Sequence, residues 1–173
     1  MNSLMLLIPL LLMTACAAPI TTQSVTHPQT NQLWLHSGDI YRLRHDGVLQ
    51  LNGKTIPMSG FMILNTNKQQ AKLALLTGLG IKLATLDIRQ NEYTVLYTSP
   101  LAKQIPHFLD QCAFSVQQLF LSIKNKNHTD TSWSVNYEGT LVIKGFSLPK
   151  KTVFTDHTTG YTVSLQLNRA KVQ

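Results

Sequence analysis

The sequence predicts a mainly β (α+β) domain, built from a curved antiparallel sheet and one amphipathic helix. Apolar and polar residues alternate over 41–98, and turn residues separate the alternating runs. Over 104–123 the apolar residues recur every three or four positions, as on one face of a helix. Alternation resumes over 133–167, so further strands complete the domain.

An apolar run from Leu4 to Met13 stands before this domain and ends close to Cys16. The run is shorter than the roughly 20 residues that cross a bilayer and matches a signal-peptide core of about 7–15 residues. We therefore predict that 1–15 is a lipoprotein signal peptide and that Cys16 carries acyl chains such as palmitate. An ordinary secretory signal, cut near Ala15 or Ala18, is the alternative.

The anchor also predicts where the protein works. In enteric bacteria an Asp after the acylated cysteine favours retention in the inner membrane, and by resemblance to that rule Ala17 implies the outer membrane, facing the periplasm. Residues 16–32 are predicted to be the lipidated cysteine and a flexible tether, because the stretch after Cys16 is uncharged and contains two prolines. Residues 33–173 then form one domain, which we expect to be a monomer.

The net charge of +7 belongs to the mature chain, because every charged residue follows Cys16. A basic excess suits anionic lipid headgroups, or solubility alone. A nucleic-acid partner is not expected, because the signal removes the chain from the cytoplasm.

Five strands are expected before the helix. They run over 41–51, 56–64, 71–75, 81–88 and 93–98. Asn52-Gly53 joins the first two and is a strong hairpin signal, since a type I′ turn needs positive φ at both central residues. Consecutive strands joined by tight turns form an antiparallel meander, which curls as strands are added.

The predicted helix runs from Gln104 to Ile123, with Pro106 in its first turn. Cys112 lies on its apolar face, where a small buried core residue is expected rather than a reactive thiol. With Cys16 used by the lipid, no disulfide is expected. The closing strands are expected over 133–137, 141–143, 153–155 and 161–167, with a turn at 157–160.

Sequence motifs for chemistry are weak. The six histidines are dispersed, with no pair at metal-ligand spacing. Ser147 to Lys150 matches Ser-x-x-Lys, but the companion motifs are missing and Pro149 disfavours the helix that the catalytic version uses. We therefore predict no catalytic residues, no metal and no cofactor, and expect that the protein is not an enzyme.

Three stretches carry a resemblance to the bacterial LolA/LolB lipoproteins: 75–80 (Leu-Leu-Thr-Gly-Leu-Gly), 133–137 (Trp-Ser-Val-Asn-Tyr) and 148–167. The spacing from Gly47 through the helix is similar to the domain-of-unknown-function family 3261 lipoproteins. The resemblance implies an incomplete (half) β-barrel whose helix covers an apolar hollow. It also implies binding of lipid or an acylated protein, in lipid or lipoprotein transfer to the outer membrane.

Leu79 takes the place of a leucine that inserts into the membrane in LolB-like proteins. An apolar side chain between two glycines at a hairpin tip has little core to reach, so we predict membrane or partner contact there. The alternative is that Leu79 folds back onto the sheet.

Strand parity gives candidate residues for the hollow, which are Met58, Met62, Leu73, Leu75, Val95 and Leu165. Methionine adapts to a variable apolar guest. An ordinary packed core explains the same pattern. Three functions stay open: a lipid-binding module, a non-catalytic structural or accessory lipoprotein of an envelope complex, and, more distantly, an envelope enzyme.

Overall fold

The computed structural model describes residues 39–121, 132–143 and 146–173. Here eight antiparallel strands form one curved sheet in the order β5-β4-β3-β2-β1-β8-β7-β6. The strands are β1 (Ile40–Leu51), β2 (Lys54–Asn65), β3 (Gln70–Thr77), β4 (Lys82–Arg89), β5 (Tyr93–Thr98), β6 (Trp133–Ile143), β7 (Phe146–Asp156) and β8 (Tyr161–Val172). The two edge strands do not pair with each other, so the sheet is open, and the predicted fold class is confirmed.

The hairpins follow the turn residues of the sequence. Asn52 and Gly53 have φ of 49° and 73°, as a type I′ turn requires. The strands predicted over 133–137 and 141–143 are one continuous strand, β6, which passes through Gly139 with φ of 64°. The last turn, 157–160, lies where it was predicted, between β7 and β8.

The single helix predicted over 104–123 is wrong in its extent. The chain forms α1 (Pro100–Lys103), α2 (Phe108–Val116) and a π-helical turn (Gln117–Leu121), and 122–123 lie outside the described residues. Pro106 lies in the break between the helices, because the residue before a proline disfavours helical dihedrals. His107 has φ of 54°, a left-handed conformation, and α2 begins directly after it.

The helices lie across the sheet, since α2 bonds to Tyr93 at the start of β5 and to Asp156 at the end of β7. The face that α2 covers, here the inner face, carries the buried side chains of alternate strand residues, such as Leu43, Leu64 and Leu86. The other face, here the outer face, carries the residues between them. The core therefore lies between one face of the sheet and α2.

The predictions for the signal peptide, the Cys16 anchor and the tether concern the segment before Asp39, which is outside the described residues. Within the described ranges, no helix has the length and apolar character needed to span a membrane.

Candidate functional site

A mainly apolar cavity of about 50 Å³ lies between the inner face and α2, and is called the hollow below. The middle strands of the sheet form its floor, and α2 and the π-helical turn form its roof. Its lining residues are His45, Gly47, Met58, Ser59, Gly60, Met62, Leu73, Leu75, Cys112, Ser115, Val116, Phe120, Tyr161, Val163 and Leu165.

Two glycines line the floor of the hollow. Gly47 on β1 lies between Met58 and Leu165 on the neighbouring strands. Gly60 on β2 lies between His45 and Leu75. Glycine weakens a strand and often marks a place where a ligand or another backbone approaches closely. Two positions without a side chain therefore border the hollow, although a Cβ would make ordinary contacts at Gly60 and would lie only 3.0 Å from the Ser164 carbonyl oxygen at Gly47.

Five of the six predicted hollow residues come together here, and they are Met58, Met62, Leu73, Leu75 and Leu165. Val95 does not join them. It pairs with Leu86 on the edge strand β5, and its side chain is 40% exposed. Strand parity placed Val95 on the same face as Leu86, but an edge strand lies away from the middle of the sheet, where the hollow is.

Polar contacts fix the roof at both sides. On one side the hydroxyl of Tyr93 at the start of β5 donates to Asp110 of α2. In the π-helical turn, Gln117 Nε2 donates to the carbonyl of Arg89 at 2.9 Å. On the other side Gln111 Nε2 donates to Asp156 Oδ2 at 3.2 Å. The helix is thus attached to the β4–β5 and β7–β8 hairpins and spans the hollow between them.

Asp156 is a buried carboxylate at the end of β7 that these contacts satisfy. Burial by itself raises the pKa of Asp156, but hydrogen bonds from Thr159 Oγ1 (2.8 Å), Thr158 N (2.8 Å) and Gln111 outweigh it, so the pKa is lowered. Asp156 therefore stays ionised and holds the turn and the helix together.

His45 is the histidine that lines the hollow, and its ring lies 6.3 Å from that of Phe120. Burial lowers the pKa of His45 to about 4, and the neighbouring Asp46 opposes this only weakly. The imidazole is therefore neutral at neutral pH. It gives the apolar hollow one titratable polar group, which can donate or accept a hydrogen bond.

Cys112 and Tyr161 lie side by side at the roof and floor, with Sγ and the hydroxyl 3.9 Å apart. Burial raises the pKa of the Cys112 thiol to about 12 and the pKa of Tyr161 well above its ordinary value. Both groups are protonated at neutral pH. Cys112 therefore packs as a small neutral side chain, consistent with its predicted core position.

Leu79 lies at the tip of the β3–β4 turn and is 91% exposed, so it does not fold back onto the sheet. Thr77 holds the turn: its carbonyl accepts from Gly80 N at 2.9 Å, and its Oγ1 accepts from Ile81 N at 3.1 Å. Ile81 beside it is 61% exposed. Leu79 and Ile81 together form the apolar tip.

Three residues that shape the hollow were missed from the sequence: Gly47, Gly60 and His45. Gly60 shares the parity of Met58 and Met62, and Gly47 that of Leu43 and Leu49, so counting alternate positions places both glycines on the inner face. His45 shares that parity too. The prediction from strand parity included only apolar side chains, so it omitted the two glycines and the histidine of the hollow.

The size of the hollow limits what it can hold at rest. An apolar cavity of about 150 Å³ binds benzene. At about 50 Å³, the hollow accommodates a few methylene groups, and a long acyl chain needs Phe120 and α2 to move outward. The described residues contain no cluster of three or more metal-ligating side chains.

No protein-family model and no curated protein sequence matches the chain. Structural neighbours include a domain assigned to outer-membrane lipoprotein sorting from Vibrio parahaemolyticus, with a TM-score of 0.40 and 6% identity over 79% of this chain and 86% of that chain. A LolA superfamily protein from Nitrosomonas europaea has a TM-score of 0.37 and 10% identity over 83% and 90% of the two chains. A DUF1329 family protein from Desulfovibrio piger has a TM-score of 0.39 and 6% identity over 78% and 85%. Similarity at this level assigns no function, and the resemblance to family 3261 stays a prediction.

Proposed function

We propose that this protein is a non-catalytic lipoprotein of the bacterial envelope that binds lipid or acyl chains in the hollow. The observation that carries the proposal is an apolar cavity on the inner face of an open sheet, at the place where Gly47 and Gly60 leave out side chains. Each methylene group buried there contributes about 0.8 kcal/mol.

The lining suits a guest that varies in shape. Met58 and Met62 supply unbranched, polarisable side chains that repack easily. The roof is attached through side-chain hydrogen bonds at its two sides, so it can move without breaking the sheet ladder. A chain longer than a few carbons enters as Phe120 and α2 move away from the floor.

The apolar tip is proposed to contact a membrane or an acylated partner while cargo is exchanged. Burying a leucine side chain such as that of Leu79 in lipid contributes about 1.5–3 kcal/mol. A contact of that strength is reversible, as delivery requires.

Anchoring at Cys16 is proposed to hold the domain on the outer membrane, facing the periplasm. Globomycin sensitivity and palmitate labelling test it. Unchanged processing of a Cys16→Ala variant would contradict the anchor and leave the hollow untouched.

Native mass spectrometry tests the hollow directly. The chain from Ala17 to Gln173, purified from a periplasm without detergent, should carry the extra mass of one or two acyl chains. Gly60→Leu fills the floor of the hollow and should lose that mass, and it should also lose uptake of a fluorescent fatty acid. Gly78→Ala is the matched control, because a Cβ there lies 3.7 Å from Pro57 and away from the hollow.

A second candidate, a structural or accessory lipoprotein of an envelope complex, is favoured by the small size of the hollow and the packed core around it. Tyr41, Phe154 and Tyr161 are fully buried and fill much of the inner face. A bare mass for the wild type, with no uptake of the probe, would exclude the carrier and favour this second candidate.

A further inference from the structure

The outer face carries a concentration of positive charge that the hollow does not explain. Its members lie on three strands, β8, β1 and β3, at positions where alternate side chains point away from the core, and β2 lies between β1 and β3. The exposed cations are Arg42, Arg44, Lys72, Arg169 and Lys171. This set is called the basic face below.

The register places like charges directly opposite each other. Arg42 pairs with Lys171, and Arg44 pairs with Arg169. Like charges at opposing positions of an antiparallel pair destabilise a sheet. These two pairs of opposed cations therefore do not favour folding.

Two carboxylates beside the basic face offset part of its charge, without forming an ion pair with it in the described residues. The ion pairs found there join other residues, and none includes a member of the basic face. The nearest outer-face carboxylates in the register are Asp87, which lies opposite Lys72, and Asp46, two residues after Arg44 on β1. Each accepts a hydrogen bond of 2.6 Å from a neutral amide, of Gln70 and Asn168 respectively, and keeps its negative charge. The five cations therefore outnumber the two adjoining carboxylates, and the basic face keeps an excess of positive charge for a partner.

Two large apolar side chains lie within the basic face. Phe61 and Ile63 on β2 are 46% and 44% exposed and pair with Arg44 and Arg42. The Arg44 guanidinium carbon lies 5.4 Å from the centre of the Phe61 ring. Apolar groups surrounded by cations are the composition of surfaces that bind the interface of anionic membranes.

We propose that the basic face binds an anionic lipid surface. The charges lie on three strands and extend across the width of four, because β2 separates β1 from β3, which matches an extended charged plane better than a single acidic peptide. The described chain begins at Asp39, immediately before Arg42 on β1, and Gln173 N donates to the carbonyl of Ile40 at 2.9 Å. The basic face therefore adjoins the point where the N-terminal segment with Cys16 joins the domain.

This placement gives the domain a resting orientation on its own membrane. Lys72 is near the start of β3, whereas Leu79 follows the end of that strand. The apolar tip is therefore at the opposite end of β3 from the basic face and stays free for a partner. The inference does not depend on the contents of the hollow.

Vesicle flotation tests the basic face with the full chain carrying Cys16→Ala, which removes the acyl group. The vesicles are phosphatidylcholine alone, or phosphatidylcholine with phosphatidylglycerol. Any binding through the apolar run 4–13 is common to both vesicle types, so the difference between them reports charge. Preference for the anionic vesicles should weaken as salt is raised.

Arg42→Gln with Arg44→Gln should lower the affinity for anionic vesicles about thirtyfold, because each basic residue held near the surface contributes roughly fivefold. Lys72→Gln with Lys171→Gln should have a similar effect, and carries the test if the arginine variant fails to fold. Lys54→Gln with Lys150→Gln also removes two positive charges, but these lie outside the basic face. This variant should keep most of the preference for anionic vesicles. Equal losses in all three variants would overturn the proposal, as would binding of polyglutamate without any preference for anionic vesicles.

Discussion

Alternate residues of the same strands form the inner and the outer face of the sheet, and the two faces have different roles. On β2, Gly60 leaves a space on the inner face, while Phe61 next to it is exposed on the outer face among cations. Each face contains a feature that lowers stability. The inner face has glycines within strands, and the outer face has like charges at opposing positions. The two departures from an optimal sheet therefore coincide with the two surfaces for which we propose binding.

The largest contrast between the faces is expected from truncating neighbouring residues of β2. Leu64 is fully buried on the inner face, and Leu64→Ala should lower the free energy of unfolding by about 2–5 kcal/mol. Ile63 is 44% exposed on the outer face, and Ile63→Ala should cost no more than about 1 kcal/mol. Urea denaturation measures both, and equal losses would contradict the assignment of the faces.

The next contrast depends on pH and concerns His45. Its pKa falls from an ordinary 6.5 to about 4 in the folded protein, so the unfolded chain binds more protons between these values. Above pH 6.5 the lowered pKa of His45 should therefore hardly change the free energy of unfolding. As the pH drops from 6.5 to 4, the free energy of unfolding should fall by up to about 3 kcal/mol.

His45→Leu is the control for this loss, because it places an apolar side chain of similar size in the floor of the hollow and removes the titration. Asp156 also has a lowered pKa, but its ordinary value is 3.8, so its contribution is lost only at more acidic pH. Unfolding free energies of wild type and variant that decline in parallel between pH 6.5 and 4 would exclude His45 as the cause.

Much of the sheet was predictable because local signals specify it. Alternation and turn residues such as Asn52-Gly53 predicted all eight strands, most of them within a few residues. β6 was predicted in two pieces, and only 153–155 of β7 (Phe146–Asp156) was predicted. The break in the helix was not predicted, because the apolar period continues through Ile105 and Phe108. A proline and a left-handed His107 interrupt the backbone without interrupting that period.

The site was predictable only for side chains that fill space. Parity placed Leu73 and Leu165 on the inner face, but it contains no information on distance from a sheet edge, which separates Val95 from the hollow. The basic face was missed for another reason. Arg42 and Lys171 are far apart in sequence, and only the pairing of β1 with β8 brings them together.

Two glycines of the hollow should respond in opposite directions to the same substitution. A Cβ at Gly60 would lie 3.5 Å from Leu75, an ordinary contact, so Gly60→Ala should raise stability by about 0.5–1 kcal/mol and reduce acyl-chain uptake. At Gly47 the Cβ would lie 3.0 Å from the carbonyl oxygen of Ser164, so Gly47→Ala should cost about 1–3 kcal/mol. Thermal unfolding with a fatty-acid binding assay measures both, and unchanged uptake by Gly60→Ala would place the ligand elsewhere.

The smallest expected effect comes from relieving one like-charge pair on the outer face. Lys171→Gln removes the cation opposite Arg42 and should raise the free energy of unfolding by about 0.2–1 kcal/mol, because like charges at opposing positions repel. The gain should shrink at high salt, which screens exposed charges. Lys54→Gln removes an exposed charge at the far end of the same sheet and should change stability less. If Lys171→Gln raises the free energy of unfolding and also weakens vesicle binding, the basic face lowers stability while it binds an anionic partner. If Lys171→Gln does not raise the free energy of unfolding at low salt, Arg42 and Lys171 do not repel each other.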